Sequence, residues 1–239
     1  LEFRRVLFRS GILALGGGGT LGSTHILAGA GEVDITGGTR TVAAGTTLTV
    51  DGKLAVNNGG GLDVQGASTV TGPGTFELGP GGTLAGSGNV TISSGFLWTG
   101  GAMEGAGTTI LAGSGTATGN ALYLNNGRVL QIAPTGTLNL ADGAVITFNV
   151  GPAGSITALG TLTKTTGTGT ATIDSLNVQG NLSATSGTLA LNNTTLTGNL
   201  TVAGTGVTLT GTTTANTALS ISGPGTLNLP SGTLTGKIG

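Results

Sequence analysis

Cysteine is absent from this chain of 239 residues, and methionine, tryptophan, tyrosine and histidine occur once each. Without cysteine there is no disulfide framework and no thiolate metal site. A lone histidine leaves nothing from which to assemble a His-based metal centre. Charge is equally sparse, at 7% Asp, Glu, Lys and Arg with a net charge of −1. Nucleic-acid and anionic-membrane binding both need a basic patch, so neither is expected. No apolar run approaches the roughly 18 residues of a spanning helix. What is abundant is glycine, 50 of 239 residues, within a chain that is 37% hydrophobic. Disordered chains are poor in apolar residues and rich in charge. This composition instead permits a buried core, provided the apolar residues are correctly spaced.

Short alternating stretches supply that spacing: "TLTV" (47–50), "KLAV" (53–56), "TFEL" (75–78), "ALYL" (121–124), "TLNL" (137–140) and "NLTV" (199–202). Apolar residues at i and i+2 are the signature of a strand with one buried face. Between them stand "DG", "GPG", "GSG" and "NNG", whose Gly and Asn accept the positive-φ corners of sharp turns. Strands this short, separated by so few residues, cannot pair in parallel with their immediate neighbours. They can pair with the strand one full turn later.

The numbering supports that arrangement. One inward series is Leu48, Val70, Val90, Ile110 and Leu130; a second is Leu54, Phe76, Phe96, Thr116 and Leu138. A third is Leu62, Leu84, Met103, Leu122 and Ile146. Downstream, Ile156, Leu176 and Leu196, then Leu162, Leu182 and Val202, and the pair Leu189 and Leu209, keep the same step. Three interleaved columns with one period predict an all-β, parallel, right-handed β-helix (a β-solenoid), with three strands per coil of about 20 residues. Two irregularities are expected. "AGSGTATGNA" (112–121) places Thr116 and Thr118 at inward positions, and "GTTTANT" (211–217) breaks register at an insertion loop. Leu138 is expected inward and Asn139 outward.

The first ten residues, "LEFRRVLFRS", stand apart, with three of the eight Lys+Arg, two of the five Phe and no glycine. Back-translated, they resemble the tail of a common short-read sequencing adapter, and residues 1–10 are therefore expected to be non-native. Residues 11–239 are expected to be one β-solenoid segment of a longer chain, with a net charge of −3.

"GTLNL" (136–140), "GNLTV" (198–202), "GPGTFELGPGGTL" (72–84) and "GPGTLNLPSGTL" (223–234) resemble the repeats of large bacterial surface β-helices. Autotransporter passengers and filamentous-haemagglutinin-like adhesins are of this kind. "FLWTGGAMEGAGTTI" (96–110), followed by "NGRVL" (126–130), is similar to a tryptophan-containing element of long repetitive bacterial exoproteins. The resemblance implies secretion to the cell surface and adhesion or scaffolding without catalysis. Partners would be host or environmental glycans or surfaces, met through weak repeated contacts, and neighbouring coils of the same chain.

Polysaccharide lyases, hydrolases and phage tailspikes also use β-helices, and they need ionisable groups converging on one sugar bond. Glu32 and Asp34 share a strand face, with Arg40 following, and read as a solvated surface. Asp63 and Glu104 fall on one outer column two coils apart. His25 reads as an incidental surface histidine, and the periodic GGxGxD of calcium-binding repeats is absent. No catalytic, cofactor or metal residue is assigned. Trp98, beside Phe96, is expected to stack inward over Leu78 and Phe76, while Tyr123 faces out as the better candidate for surface contact. An ice-binding rod would need stacked Thr-x-Thr pairs, but "TLT" at 47–49, 161–163, 195–197, 208–210 and 233–235 lacks the coil period. The sequons at Asn89, Asn181, Asn192, Asn193 and Asn199 are expected by chance in such Asn/Thr-rich text.

Overall fold

The computed structural model describes residues 5–7, 10–202, 206–210, 212–228 and 233–238. Every pairing between their strands is parallel, and no helix occurs among them. The chain winds into a β-solenoid of about ten turns, each of about 21 residues. A first face stacks Thr24–Ala28, Thr47–Val50, Ser68–Thr71, Val90–Ile92, Thr108–Leu111 and Val129–Ile132. A second stacks Ile12–Leu15, Glu32–Ile35, Lys53–Val56, Thr75–Leu78, Gly95–Trp98, Ser114–Ala117 and Thr137–Leu140. The third runs through eleven paired strands, from Gly19–Leu21 to Leu227–Asn228. At the N-terminal end Arg5–Leu7 pairs with Ile26–Ala28 on the first face.

From Ser155–Lys164 onward the first two faces share one strand per coil. That strand pairs with Val129–Ile132 at its start and Thr137–Leu140 at its end. The corner between those faces has become a bend, marked by a register shift between Ala158 and Leu162. Elsewhere corners use tight turns. Asn126 (φ 54°) and Gly127 (φ 77°) both lie in the left-handed region, which Asn and Gly tolerate best.

The core is a set of ladders inside the coil. Phe76 pairs with Phe96, their ring centroids 6.0 Å apart and their planes inclined by 23°. Leu78 pairs with Trp98, and all four side chains are buried. The next coil departs from the constant-period expectation by one residue. Phe96 pairs with Gly115 and Trp98 with Ala117, so Thr116 faces out beside Leu97. The reason is volume: a coil holding two large aromatics leaves little room, and the smallest residues follow it. A Cβ added to Gly115 would lie 2.9 Å from Leu111 and 3.2 Å from both Phe96 and Leu138.

The first column shifts too. Val70 pairs with Ile92, Ile92 with Leu111, and Val90 with Thr109. Thr109 is therefore buried while Ile110 lies outward. Met103 pairs with Leu124, and Leu122 with Ile146. Further on, Ile156 meets Val178 instead of Leu176, Leu182 meets Leu200 instead of Val202, and Leu189 meets Val207 instead of Leu209. Coil length is not constant, because residues added or lost at corners leave the inward ladders intact. Near 211–217 the register does shift, between Leu196 and Asn199 against Thr212–Ser222. Thr212–Ser222 is one strand, however, so the two extra residues are absorbed within it and do not form a loop.

Candidate functional site

Outward ionisable groups converge on the second face at its N-terminal end. Glu32 pairs with Lys53, and the next row runs Asp34, Ala55, Glu77. The Lys53 Nζ bridges Glu32 Oε1 at 3.1 Å and Glu77 Oε2 at 2.6 Å, linking three successive coils. Thr99 extends the ladder to a fourth coil by donating to Glu77 Oε1 at 2.9 Å. Burial lowers the Lys53 ammonium's pKa, but its bonds to Glu77 and Glu32 outweigh this and raise it overall. Desolvation pushes the Asp34 carboxyl above its ordinary value, against a hydrogen bond with Asn57 and the charge of Lys53. Beneath the network Ala55 is completely covered although its strand position faces out.

Arg40, expected beside this pair, lies elsewhere. It sits on the third face at an inward position, paired with Leu62, and lines the same end of the interior as Leu21 and His25. His25 is itself buried at an inward position over Leu48, which corrects its reading as a surface residue. Asp63 and Glu104 do share an outer column two coils apart, with Ala85 between them. Among the described residues no group of three or more His, Cys, Asp or Glu is placed to hold a metal ion. Asp34 and Glu77 are separated by two strand spacings, about 10 Å. That is near the upper limit of about 9.5 Å for carboxylates that flank a sugar bond with a water between them.

Two buried cations are further sites that composition alone conceals. Arg128 is wholly buried, its Nε donating to Thr109 at 3.1 Å and its Nη1 to the carbonyls of Gly86 and Glu104 at 3.0 and 3.3 Å. Burial lowers its pKa to about 10, which leaves it charged at neutrality. It fastens two preceding coils to its own through backbone oxygens. Lys164, also wholly buried, donates to Asp142 Oδ1 at 2.6 Å and to the Thr166 carbonyl. A sequence signal for both exists. Arg128 has the same strand parity as inward Leu130, and Lys164 the same parity as inward Leu162.

The Lys164 contact, with a bond from the Gly169 amide, holds the Asp142 carboxylate below its ordinary pKa. A depressed carboxylate pKa stabilises the fold above the unfolded-state value of about 3.9, and this is lost as pH falls through the folded value. Asp142→Asn is therefore expected to lower the melting temperature at pH 7 by a few degrees, with the gap to wild type closing in strong acid. Thermal melts of the two chains from pH 2 to pH 7 measure this. A gap independent of pH contradicts the linkage.

Of the aromatics, Trp98 is buried in the ladder as expected. Tyr123 is half-buried, faces out between inward Leu122 and Leu124, and borders a groove of about 300 Å³ at the corner between the second and third faces. The "TLT" pairs are dispersed, with 47–49 and 195–197 on the first face, 161–163 on the second and 208–210 on the third. Thr47 and Thr49 are preceded by Thr24 on the coil before and joined by Thr69, Thr71 and Thr91 on the next two, a row that ends at Ile110. Among the sequons, Asn181 and Asn199 stack with a 3.0 Å bond, and Asn89 and Asn193 accept from the amides of Thr108 and Thr212.

Comparison of the chain with protein-family models, with curated proteins and with solved structures finds no match. The functional reading therefore rests on the geometry above.

Proposed function

We propose that this chain is a non-catalytic shaft segment of a large secreted or cell-surface bacterial β-solenoid protein, with a structural and adhesive role. The observation that carries the reading is the use made of the clustered charges. Lys53 spans Glu32 and Glu77 across three coils, so the densest ionisable group on the second face acts as a strap between coils. Rods of this kind supply reach, and adhesion accumulates from many weak contacts along the array. The extracellular or cell-surface location follows from the same reading. Residues 1–10 belong to the proposal as a non-native leader; genomic reads that carry the same ten codons beyond the junction would overturn that part.

The alternative with a specific observation behind it is a carbohydrate-active enzyme or tailspike-like protein. Asp34 has a raised pKa and shares a row with Glu77, a carboxylate bonded to Lys53 and Thr99. An acid of raised pKa sharing a row with a second carboxylate is the kind of pair that glycoside hydrolysis uses. The ice-binding alternative has less support, because the threonine row ends at Ile110 after four coils and carries a Thr-x-Thr pair on only two of them. A screen of the chain on a polysaccharide panel for reducing ends and unsaturated products, with and without calcium, distinguishes them. We expect no turnover. Turnover abolished by Asp34→Asn and Glu77→Gln would establish the enzyme.

A further inference from the structure

The groove under Tyr123 is produced by unequal corners on three successive coils. Leu78 pairs with Trp98, and Leu84 with Met103, which in turn pairs with Leu124. The first coil crosses this corner through Gly79 to Thr83, the second through the shorter Thr99 to Ala102, and the third through the longer Thr118 to Tyr123. The middle corner is therefore recessed between two raised ones. Its floor is Gly100 and Gly101, and neither position has room for a side chain. A Cβ on Gly100 would lie 2.8 Å from the Pro80 backbone, and one on Gly101 would lie 2.3 Å from the Gly82 carbonyl oxygen. Gly101 also has φ 74°, in the left-handed region. Pro80 and Asn120, both exposed, rise from the two flanking corners beside the Tyr123 ring.

We propose that this groove binds a neutral saccharide, holding one or two sugar rings. The proposal deepens the adhesive reading, on which it rests, by naming a place and a ligand class. Its volume of about 300 Å³ is at the lower end of the range of small-ligand sites. None of its lining residues carries a charge at neutral pH, so a charged ligand would lose hydration there and gain no counter-ion. A sugar ring offers an apolar C–H face and a rim of hydroxyls. The Tyr123 ring and Pro80 match the first. The Asn120 amide and the Thr83 hydroxyl, which both donate and accept, match the second. Thr99 also lines the groove, but its hydroxyl proton is committed to Glu77, so it is left as an acceptor.

The chain contains a single tyrosine and a single tryptophan, which gives the test a site-specific probe. The full chain labelled with 3-fluorotyrosine has one fluorine resonance, at the groove. It is titrated with cellotriose, maltotriose and tri-N-acetylchitotriose, and in parallel with trigalacturonate and a proline-rich hexapeptide. The expected result is a saturable shift of the line with at least one neutral trisaccharide and none with trigalacturonate. Asn120→Ala should weaken that binding about fivefold, the equivalent of one net hydrogen bond, with unchanged Trp98 fluorescence showing an intact core. A line unmoved by all three neutral sugars, a response to the hexapeptide alone, or affinity unaffected by Asn120→Ala each overturns the site. Turnover in the polysaccharide screen would instead defeat the non-catalytic reading and leave the groove standing, so the two failures are distinguishable.

Discussion

Leu138→Asp is expected to abolish cooperative folding of the central coils, while Asn139→Asp leaves the melting curve nearly unchanged. Leu138 is wholly buried between Gly115 and Leu162 in the second-face ladder. Its Cδ1 lies close to the position a Cβ on Gly115 would occupy, so it fills the space the glycine leaves. Losing the burial of a leucine costs about 1.5–3 kcal/mol. Placing a carboxylate there without a partner adds a desolvation cost of several kcal/mol more. Together these approach the whole stability of a typical domain. Asn139 faces out and its Oδ1 accepts from the Thr165 amide and hydroxyl. An aspartate keeps those acceptors and gives up only the amide donor that reaches Thr166. Circular dichroism melts of the two variants decide the matter, and equal destabilisation would mean that the register of this strand is wrong.

The same two residues show why much of the fold was legible in the sequence. In "TLNL" the parity is unambiguous, since only one choice buries both leucines. The stacks Leu54, Phe76, Phe96 and Leu62, Leu84, Met103 are equally clear, and the structure pairs them as the numbering implies. Parity becomes ambiguous where adjacent residues are equally good candidates. "TTIL" can bury Ile110, or it can bury Thr109 with Leu111, and a constant step of 20 favours the first. The coil from Ile92 to Leu111 has a step of 19, and a one-residue slip moves every side chain to the other face. "SGTA" carries no large apolar residue in either register, so only the bulk of Phe96 and Trp98 beneath it decides for Gly115 and Ala117.

The candidate site was less legible, because it depends on what stands above a residue and not on what stands beside it. Glu32 and Asp34 are conspicuous as neighbours in sequence. Their partner Lys53 lies one coil on and Glu77 two coils on. A column of outward residues has no local signature. Arg128 and Lys164 were hidden by chemical type, since charged residues are rarely fully buried without partners. Their partners are two backbone carbonyls and the Thr109 hydroxyl for Arg128, and for Lys164 a carboxylate at a corner one coil earlier with a nearby carbonyl. The recess beside Tyr123 arises from a difference in length between three corners, which becomes visible only when the ladders on either side are aligned.

Trp98→Ala is the second substitution of large expected effect, and it tests how coils depend on one another. Trp98 is among the largest wholly buried side chains, packed between Leu78 below and Ala117 above. Truncating a buried Trp to Ala costs about 3–5 kcal/mol, the higher values where the cavity cannot collapse. Collapse is obstructed here because the flanking rungs are fixed by parallel ladders on all three faces. The Trp98 Nε1 is buried without a hydrogen-bond partner, so removing that donor relieves about 1–3 kcal/mol of desolvation and holds the net cost of truncation toward the lower end of its range. In a solenoid each coil contacts only its neighbours, and stability is close to a sum of coil and interface terms. The defect should therefore concentrate at its own rung instead of spreading evenly. Hydrogen exchange is expected to show backbone amides of the ladders around 76–78, 96–98 and 115–117 losing protection together. Those of 171–191, several coils away, should keep wild-type rates. Uniform loss of protection along the rod would show that the coils unfold as one unit and that the nearest-neighbour account fails for this chain.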